Sequence, residues 1–431
     1  TTGEDLIRFT YDPNEPTVPE KQLKIYSLEE NFSIKQAMAL FQKQNPDVYV
    51  KYEYTYAFLE KDSSMTVTDA LKNLNVELLS GTGPDVILLD GMDASVYSGK
   101  GMLADLSPVL KELVDQQAVF ENIASAYKQE NGTFVIPASF SLPLLFGRQE
   151  DVEAVKDMDS LAAVVEKLRQ ENPEGSITGA FSARQELLQL MEVNSVGWLD
   201  GKELDTQAVS NFLNQALRIY KADMQGVSKE ELEVWGETER AWSLGGLAAL
   251  TAGDKIKIMA GTASNMLMDM GAVSKVMDEQ GYVFDLWPGE EGTGYLPMDK
   301  LAVSASSTQQ EQAVNFVKLM LGEEYQKMNT GSGFPVNRAA FDSQDETDGE
   351  MSMGTGWKVG GKDMQFSYGY PTEAVTTRVK ELAQKAEISL EGNVVLEEAV
   401  VEFGVQVLTG SMSVEQAVKE IQQKTAIYLS E

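Results

Sequence analysis

Strand and helix patterns alternate along the first 90 residues, and this alternation constrains the fold more than any other feature of the sequence. Residues 23–26 alternate as a short strand, and an apolar helical face follows that ends at Asn45-Pro46. Residues 48–54 alternate as a second strand, residues 68–79 form a second helical pattern, and residues 86–89 form a short buried strand. The order strand, helix, strand, helix, strand predicts a parallel sheet in an α/β fold.

The turn SGTGPD, residues 80–85, leads the chain into the third strand and is not a phosphate-binding loop. Pro84 lacks a backbone N–H donor, and Asp85 places a negative charge where an anion would lie. In open α/β sheets, ligands bind in the crevice at the carboxyl ends of the strands. We therefore expect the polar residues that follow the strands to contact a ligand.

Local signals predict several further elements. Capping boxes at Ser33/Gln36 and Ser413/Gln416 predict two helix starts. Residues 255–259 read as a strand that ends before the loop 260–265, and residues 342–361 read as an acidic, Gly-rich segment that precedes helix up to the carboxyl end.

A long extended segment follows the turn at Asn131-Gly132. It contains Pro137 and Pro143, and proline is rare inside a central strand because it cannot donate to the ladder. Two prolines six residues apart predict a strand that changes sheet, and hence a crossing between domains.

The composition excludes several classes of function. The chain of 431 residues has no Cys and no His, and its formal net charge is −32. It therefore lacks the residues for thiol catalysis, a Ser-His-Asp triad or a His/Cys zinc site, and its charge repels nucleic acid. A glycoside hydrolase that relies on carboxylates remains an alternative, since 67 residues are acidic.

These segments together resemble the extracellular solute-binding proteins of ABC importers, in the carbohydrate-binding family similar to maltose-binding protein. The pieces that carry the resemblance are LKIYSLEENFSIKQAMALFQKQNPDVYVKYEY, SGTGPDVILLDG, GKGMLADLSPVL, NGTFVIPASFSLPLLFG, DKLAVSASSTQQEQAVNFVKLMLGEEYQ, GFPVNRAAF and SVEQAVKEIQQKTAIYLSE. The resemblance implies an α/β fold of the type II periplasmic-binding-protein kind, with two hinge-linked lobes and a ligand cleft between them. Residues 21–139 plus 302–345 would form lobe one, residues 142–300 plus 346–431 would form lobe two, and residues 1–20 would be an N-terminal tether or edge segment.

The resemblance also implies a function. The protein would be a receptor and not an enzyme, and would capture a carbohydrate, an oligosaccharide in particular, by hinge closure. It would need no cofactor and no metal, act as a monomer and pass its ligand to a membrane permease. It would be extracellular and tethered as a lipoprotein, with a signal and a lipidated Cys upstream of this chain.

In sugar-binding relatives, the ligand contacts come from loops whose equivalents can be identified in this sequence. The implied contact residues are Glu29, Glu30, Asp90, Met92, Asp93, Ser139, Phe140, Ser141, Arg184, Gln185, Thr262, Ser264 and Asn265. Carboxylates and amides suit the hydroxyl groups of a polyol, while an aromatic face covers the apolar side of a sugar ring. The loop GTASN has no tryptophan, so the aromatic floor is expected from Phe140, Trp198, Trp235, Trp242, Trp287, Tyr295 or Trp357.

Other ligands remain open at this stage. A peptide or polyamine could bind in the same fold, and a cationic ligand would suit Glu29, Glu30, Asp90 and Asp93. A phosphorylated polyol would suit these carboxylates badly, because like charges repel. A surface adhesin would need a flat, exposed aromatic platform instead of a cleft.

Overall fold

The computed structural model describes residues 19, 21–56, 65–200, 203–236, 241–250, 256–328, 333–345, 352–359 and 362–430. The predicted tether 1–20 therefore lies outside the described residues, except for Pro19. Among the helices of the described part, none combines the length and the apolar character that crossing a membrane requires.

Thirteen strands are present in the described part of the chain. They are β1 Lys21–Glu29, β2 Val48–Tyr56, β3 Val86–Leu88, β4 Ile136–Gly147, β5 Leu199–Asp200, β6 Glu203–Leu204, β7 Ile258–Ala263, β8 Val283–Leu286, β9 Gly294–Val303, β10 Phe334–Pro335, β11 Ser352–Val359, β12 Lys362–Gly369 and β13 Ile388–Ser389.

Helices connect and cover these strands. They are α1 Phe32–Gln44, α2 Val67–Ser80, α3 Ala94–Gly99, α4 Ser107–Asp115, α5 Glu121–Ala126, α6 Gln149–Ala154, α7 Met158–Glu171, α8 Ala183–Asn194, α9 Thr206–Met224, α10 Lys229–Trp235, α11 Leu244–Leu250, α12 Gly271–Gln280, α13 Gln310–Leu321, α14 Glu323–Met328, α15 Arg338–Asp342, α16 Glu373–Lys385, α17 Val394–Leu408 and α18 Val414–Ser430. A π-helix, Met266–Met270, leads directly into α12, and the short 3₁₀ helix Ser343–Asp345 follows α15.

The main sheet has the strand order β10-β4-β9-β3-β1-β2. β1 is parallel to both β2 and β3, which confirms the predicted parallel α/β pattern of the first 90 residues. β9 returns antiparallel between β3 and β4, so the sheet is mixed. The carboxyl ends of β1 and β3 meet at one edge of the sheet, where a crevice can form.

β4 is a continuous strand of twelve buried residues that exchanges its partners midway. Its residues 136–141 pair with β9, whereas residues 142–147 pair with β7 and β8. Pro137 and Pro143 predicted a change of sheet, and the strand does exchange its partners, although β7, β8 and β9 all belong to one nine-stranded sheet with β4. The crossing between domains stays a prediction.

Buried apolar residues form two clusters, as expected for a chain too long for one core. The first includes Leu23 and Ile25 of β1 and Phe316 of α13. The second includes Leu187 of α8 and Leu213 of α9.

Three sequence predictions are wrong in detail. Helix α1 begins at Phe32 because Asn31 caps it, with its side chain accepting the Ile34 N–H, whereas Ser33 was predicted as the cap. Strand β7 lies about three residues later than the predicted 255–259, so Thr262 is inside the strand. The segment 352–369, predicted as the end of an acidic, Gly-rich segment followed by helix, contains the antiparallel hairpin β11–β12.

The second capping box is confirmed. The Ser413 N–H donates to the Gln416 side chain at 3.3 Å, and the Gln416 N–H donates to the Ser413 hydroxyl at 3.2 Å. Helix α18 starts directly after Ser413, because two orphan donors of its first turn are satisfied reciprocally.

Candidate functional site

A cavity of about 530 Å³ opens where β1 and β3 end. Its position agrees with the rule that ligands bind at the carboxyl ends of strands in α/β sheets. Three of the predicted contact residues line it, namely Glu29, Glu30 and Asp90. The other lining residues are Ser27, Leu28, Asn31, Phe32, Leu88, Gly91, Met298, Asp299 and Val394.

Asp299 forms the inner wall of this cavity and is 3% exposed. The Asn31 amide donates to one carboxylate oxygen at 2.6 Å, and the Ser139 hydroxyl donates to the other at 3.0 Å. Its backbone is left-handed, with φ of 51°, which is uncommon for a residue other than glycine. Asn31 therefore has two roles, because it caps α1 and also fixes the carboxylate in the wall.

Asp90 lies beside Asp299 on the same wall. Burial, together with the nearby charge of Asp299, raises the pKa of Asp90 to about 7. Burial also raises the pKa of Asp299. A carboxyl group that is partly protonated near neutral pH can donate as well as accept hydrogen bonds, which suits hydroxyl groups.

Lys300 follows Asp299 in β9 and is 3% exposed. Its backbone N–H donates to the Asp90 carboxylate at 3.3 Å, and its ammonium donates to the Met92 carbonyl at 3.2 Å and to Glu391 at 2.8 Å. The Tyr127 hydroxyl donates to Glu391 at 2.8 Å. Burial alone would raise the pKa of Glu391, but the Lys300 charge and these hydrogen bonds outweigh burial and hold the pKa below its ordinary value.

The rim of the cavity combines charge with an aromatic ring. Glu30 forms an ion pair with Lys35. The Lys35 ammonium nitrogen lies 5.4 Å from the centroid of the Phe32 ring and 5.8 Å from that of Tyr54. The Phe32 side chain is 57% exposed.

The predicted residues after β3 divide into two groups. Asp90 lines the cavity, whereas Met92 is 1% exposed and its sulfur accepts from the Tyr97 hydroxyl at 3.7 Å. Asp93 caps α3 by accepting the Ser95 N–H at 2.9 Å. Met92 and Asp93 therefore support the loop, and their side chains do not line the cavity.

The predicted residues of β4 are all buried. The Ser139 hydroxyl donates to the Asp299 carboxylate, and Ser141 is paired with Leu296 in the sheet. Phe140 has no exposed surface, and its ring packs 5.9 Å from Phe341 and 5.7 Å from Phe120, measured between centroids. We leave Phe140 out of the candidate site, because a ring inside the core has no face for a ligand.

The residues predicted from α8 and β7 also lie outside the first cavity. Gln185 is buried and holds its neighbours, accepting from the Phe181 N–H and donating to the Trp235 carbonyl. Arg184 is exposed on α8. Thr262 donates to Glu192, and Ser264 donates its N–H to the buried Asp269.

Asn265 lines a second cavity, of about 320 Å³. The π-helix residues Met266 and Met268 form one side of it, and Gln326 and Lys327 of α14 form another. The remaining lining residues are Leu267, Ala340, Ser343, Gln344 and Tyr370.

Most aromatic residues expected to form a ligand floor belong to the cores. Trp198, Trp287 and Tyr295 are at most 2% exposed. The rings of Trp235 and Trp242 contact each other, with 5.7 Å between centroids, and do not line the first cavity. The side chain of Trp357 lies outside the described residues.

Asn31, Phe32, Asp299 and Val394 are lining residues that sequence reasoning missed. Asn31 and Phe32 directly follow Glu29 and Glu30, so the strand-end rule could have included them. No sequence signal marked Asp299 or Val394, because their place in the cavity depends on tertiary packing.

The comparisons with known proteins agree with this architecture. The family of bacterial extracellular solute-binding proteins matches residues 36–352, and the chain belongs to this family. It is therefore a solute-binding protein, the class of receptor that serves ABC transporters, and its family and fold are those of binding proteins rather than enzymes. Among proteins of curated function, none matches the chain by sequence.

Solved structures show the same two-lobed α/β fold at low sequence identity. An extracellular solute-binding protein family 1 from Alicyclobacillus acidocaldarius is 14% identical, with a TM-score of 0.53 over 96% of this chain and 100% of that one. The sugar-binding protein MalE from Xanthomonas citri is 13% identical, with a TM-score of 0.56 over 95% and 98%. A sugar transporter from Arthrobacter chlorophenolicus with bound laminaribiose is 14% identical, with a TM-score of 0.54 over 93% and 98%.

Proposed function

We propose that this protein captures a carbohydrate, an oligosaccharide in particular, in the cavity between Asp90, Asp299 and the start of α1. The observation that carries this proposal is the lining itself. Four acidic residues and Asn31 line a space of about 530 Å³ together with Phe32, whose side chain is 57% exposed. Small-molecule sites typically combine such a volume with a few placed polar groups.

We propose that a ligand longer than one sugar extends from the first cavity toward the second. Tyr325 of α14 donates to the Ser33 carbonyl of α1 at 2.7 Å, so helices that line the two cavities are in direct contact. Both cavities also draw on the two proposed lobes, residues 21–139 plus 302–345 and residues 142–300 plus 346–431. Asp90 and Val394 come from different lobes in the first cavity, as do Gln326 and Asn265 in the second.

Hinge closure is the proposed mode of capture. The exchange of partners within β4 supports lobe boundaries near residues 139–142. A ligand that contacts both lobes stabilises the closed state only by the difference between its affinities for the closed and open states. A covalent step is unnecessary, which sets this proposal apart from a glycoside hydrolase.

The family also supports a proposal for the cellular role. We infer that the protein works outside the cell as a monomer, tethered as a lipoprotein, and hands its ligand to the permease of an ABC importer. The family description, bacterial extracellular solute-binding protein, supports the location outside the cell.

A cationic solute such as a polyamine is the second candidate. Four carboxyl groups line the first cavity, at Glu29, Glu30, Asp90 and Asp299, and the ammonium of Lys35 pairs with one of them. Opposite charges attract strongly where water is excluded, so an amine would bind this wall.

The test is a thermal-denaturation screen with oligosaccharides, monosaccharides, peptides and polyamines, followed by calorimetry of each hit. A ligand at about a thousand times its dissociation constant adds roughly 4 kcal/mol of stability, which raises the midpoint by several degrees. Stabilisation by sugars without any product in chromatography supports the proposal. Stabilisation by polyamines alone supports the second candidate, and release of shortened sugars supports a hydrolase.

A further inference from the structure

We propose that Phe32 is the aromatic platform on which a sugar ring of the ligand stacks. The inference rests on the proposed carbohydrate function and assigns a residue that the expected aromatic floor did not include. It also narrows the ligand to pyranosides with an apolar ring face, since such a face packs against an aromatic ring while hydroxyl groups at its edge reach polar partners.

The residue that precedes Phe32 is held by several hydrogen bonds. Phe32 is the first residue of α1, and the preceding Asn31 is held both by the Ile34 N–H and by Asp299. The Asn31 N–H also donates to the Tyr52 hydroxyl at 2.7 Å. A platform on an anchored helix start keeps its position relative to the carboxylates, which limits the cost of ordering when a ligand binds.

The exposure of Phe32 is unusual for its residue type. A phenylalanine is usually buried, so an exposed ring on a cavity wall is informative. At 57% exposed, Phe32 exceeds the two exposed tyrosines of β2, Tyr49 and Tyr54, which are each 38% exposed. Of these three residues, only Phe32 is among those that line the cavity.

The ammonium group of Lys35 lies over the ring of Phe32. Its ammonium lies within cation–π range of Phe32 and is paired with Glu30, which also lines the cavity. The pair neutralises one carboxylate at the rim while Asp90 and Asp299 remain on the inner wall. The rim therefore offers an apolar ring and the inner wall offers hydrogen bonds, which matches the two sides of a pyranoside.

The experiment measures the dissociation constant of an oligosaccharide by calorimetry for Phe32→Ala, Phe32→Leu and Phe32→Tyr. Tyr49→Ala is the matched control, because it removes an exposed ring that does not line the cavity. We expect Phe32→Ala and Phe32→Leu to bind about tenfold more weakly, since stacking and burial of the ring are lost. Phe32→Tyr should retain binding and Tyr49→Ala should match the unaltered protein.

The outcomes separate this inference from the proposed function. If no oligosaccharide binds the unaltered protein, both fall together. If an oligosaccharide binds the unaltered protein and Phe32→Ala alike, the platform role is overturned while the carbohydrate function stands. Because the ring is exposed, each variant should keep the unfolding midpoint of the unaltered protein, and equal midpoints show that a loss of binding does not come from misfolding.

Discussion

Asp90 makes the stability of the protein depend on pH. Its pKa is about 7 in the folded protein and near 4 in an unfolded chain, so the folded state holds a proton that the unfolded state has released between these values. The unfolded state binds fewer protons there, and the free energy of unfolding therefore falls as pH rises through this range. We expect Asp90→Asn to reduce the difference between the thermal midpoints measured at about pH 5 and about pH 8.

A second carboxyl group provides an independent comparison. Burial raises the pKa of Glu192 to about 8. The hydrogen bond that Thr262 donates to Glu192 lowers the pKa, but by less than burial raises it. We expect Glu192→Gln, like Asp90→Asn, to reduce the difference between the thermal midpoints at low and high pH. The effect should extend to higher pH than for Asp90→Asn. Equal midpoint differences in both variants and the unaltered protein would contradict the assignment of raised pKa values to these two groups.

Lys300 and Glu391 form an ion pair, with 2.8 Å between the ammonium nitrogen and a carboxylate oxygen. Lys300→Met leaves the Glu391 carboxylate without its cation while that carboxylate remains one-third exposed. Breaking a buried pair costs about 3–5 kcal/mol, and the partial exposure places this case near the lower limit, about 3 kcal/mol. Urea denaturation measures the loss.

The matched control is the surface pair of Lys318 and Glu112, whose side chains are both nearly half exposed. Lys318→Met should cost less than about 1 kcal/mol, since exposed pairs contribute little. The double variant Lys300→Met/Glu391→Gln should lose less than the sum of the single losses, because the two residues interact directly. Strict additivity would show that the pair does not act as a unit.

At the scale of elements, periodicity and turn residues predicted the start of the sheet well. The apolar patterns of β1, β2 and β3 were sufficient because each strand buries at least one face, and the two prolines of β4 marked its change of partners. The hairpin β11–β12 was missed because glycines and charges obscure its alternation. Asp299 could not be found, since its position depends on partners as far away in sequence as Asn31.

Gly91 links the loop after β3 to helix α17. Its φ is +71°, its carbonyl accepts the Val394 N–H at 3.0 Å, and an added Cβ would lie 3.2 Å from the Val394 Cβ. Gly91→Ala should therefore combine left-handed strain of about 1–2 kcal/mol with a steric shift of α17. We expect both a lower free energy of unfolding and weaker ligand binding.

Gly101 offers a matched control for this substitution. Its φ is +68°, but an added Cβ would meet nothing within 4 Å. Gly101→Ala should show the strain alone and leave ligand binding unchanged. If calorimetry gives the same affinity for both variants, the contact between the loop and α17 does not contribute to the binding site.

At the scale of the whole molecule, hydrogen bonds connect the proposed lobes beside the crossing strands. Asn122 of α5 donates to the carbonyls of Ala383 and Ala386, at 2.9 and 2.7 Å, and the Tyr127 hydroxyl bonds to Ser389. These contacts lie near the pairing of β13 with β9, next to the strands about which the lobes would rotate. Together with the bond from the Val394 N–H to the Gly91 carbonyl, they hold the proposed lobes together beside the crossing strands. We therefore expect closure to change the distance between the proposed lobes most at the end farther from these contacts.

Closure of this kind makes the molecule more compact, and small-angle X-ray scattering measures the change. We expect the radius of gyration to fall when a saturating oligosaccharide is added, and to remain constant with a sugar that calorimetry shows not to bind. A shift from 1:99 to 99:1 between open and closed states requires about 10⁴-fold tighter binding to the closed state, which only contacts with both lobes can provide. A tightly bound ligand that leaves the radius of gyration unchanged would mean that binding occurs without rotation of the lobes, and the hinge mechanism would then be wrong for this protein.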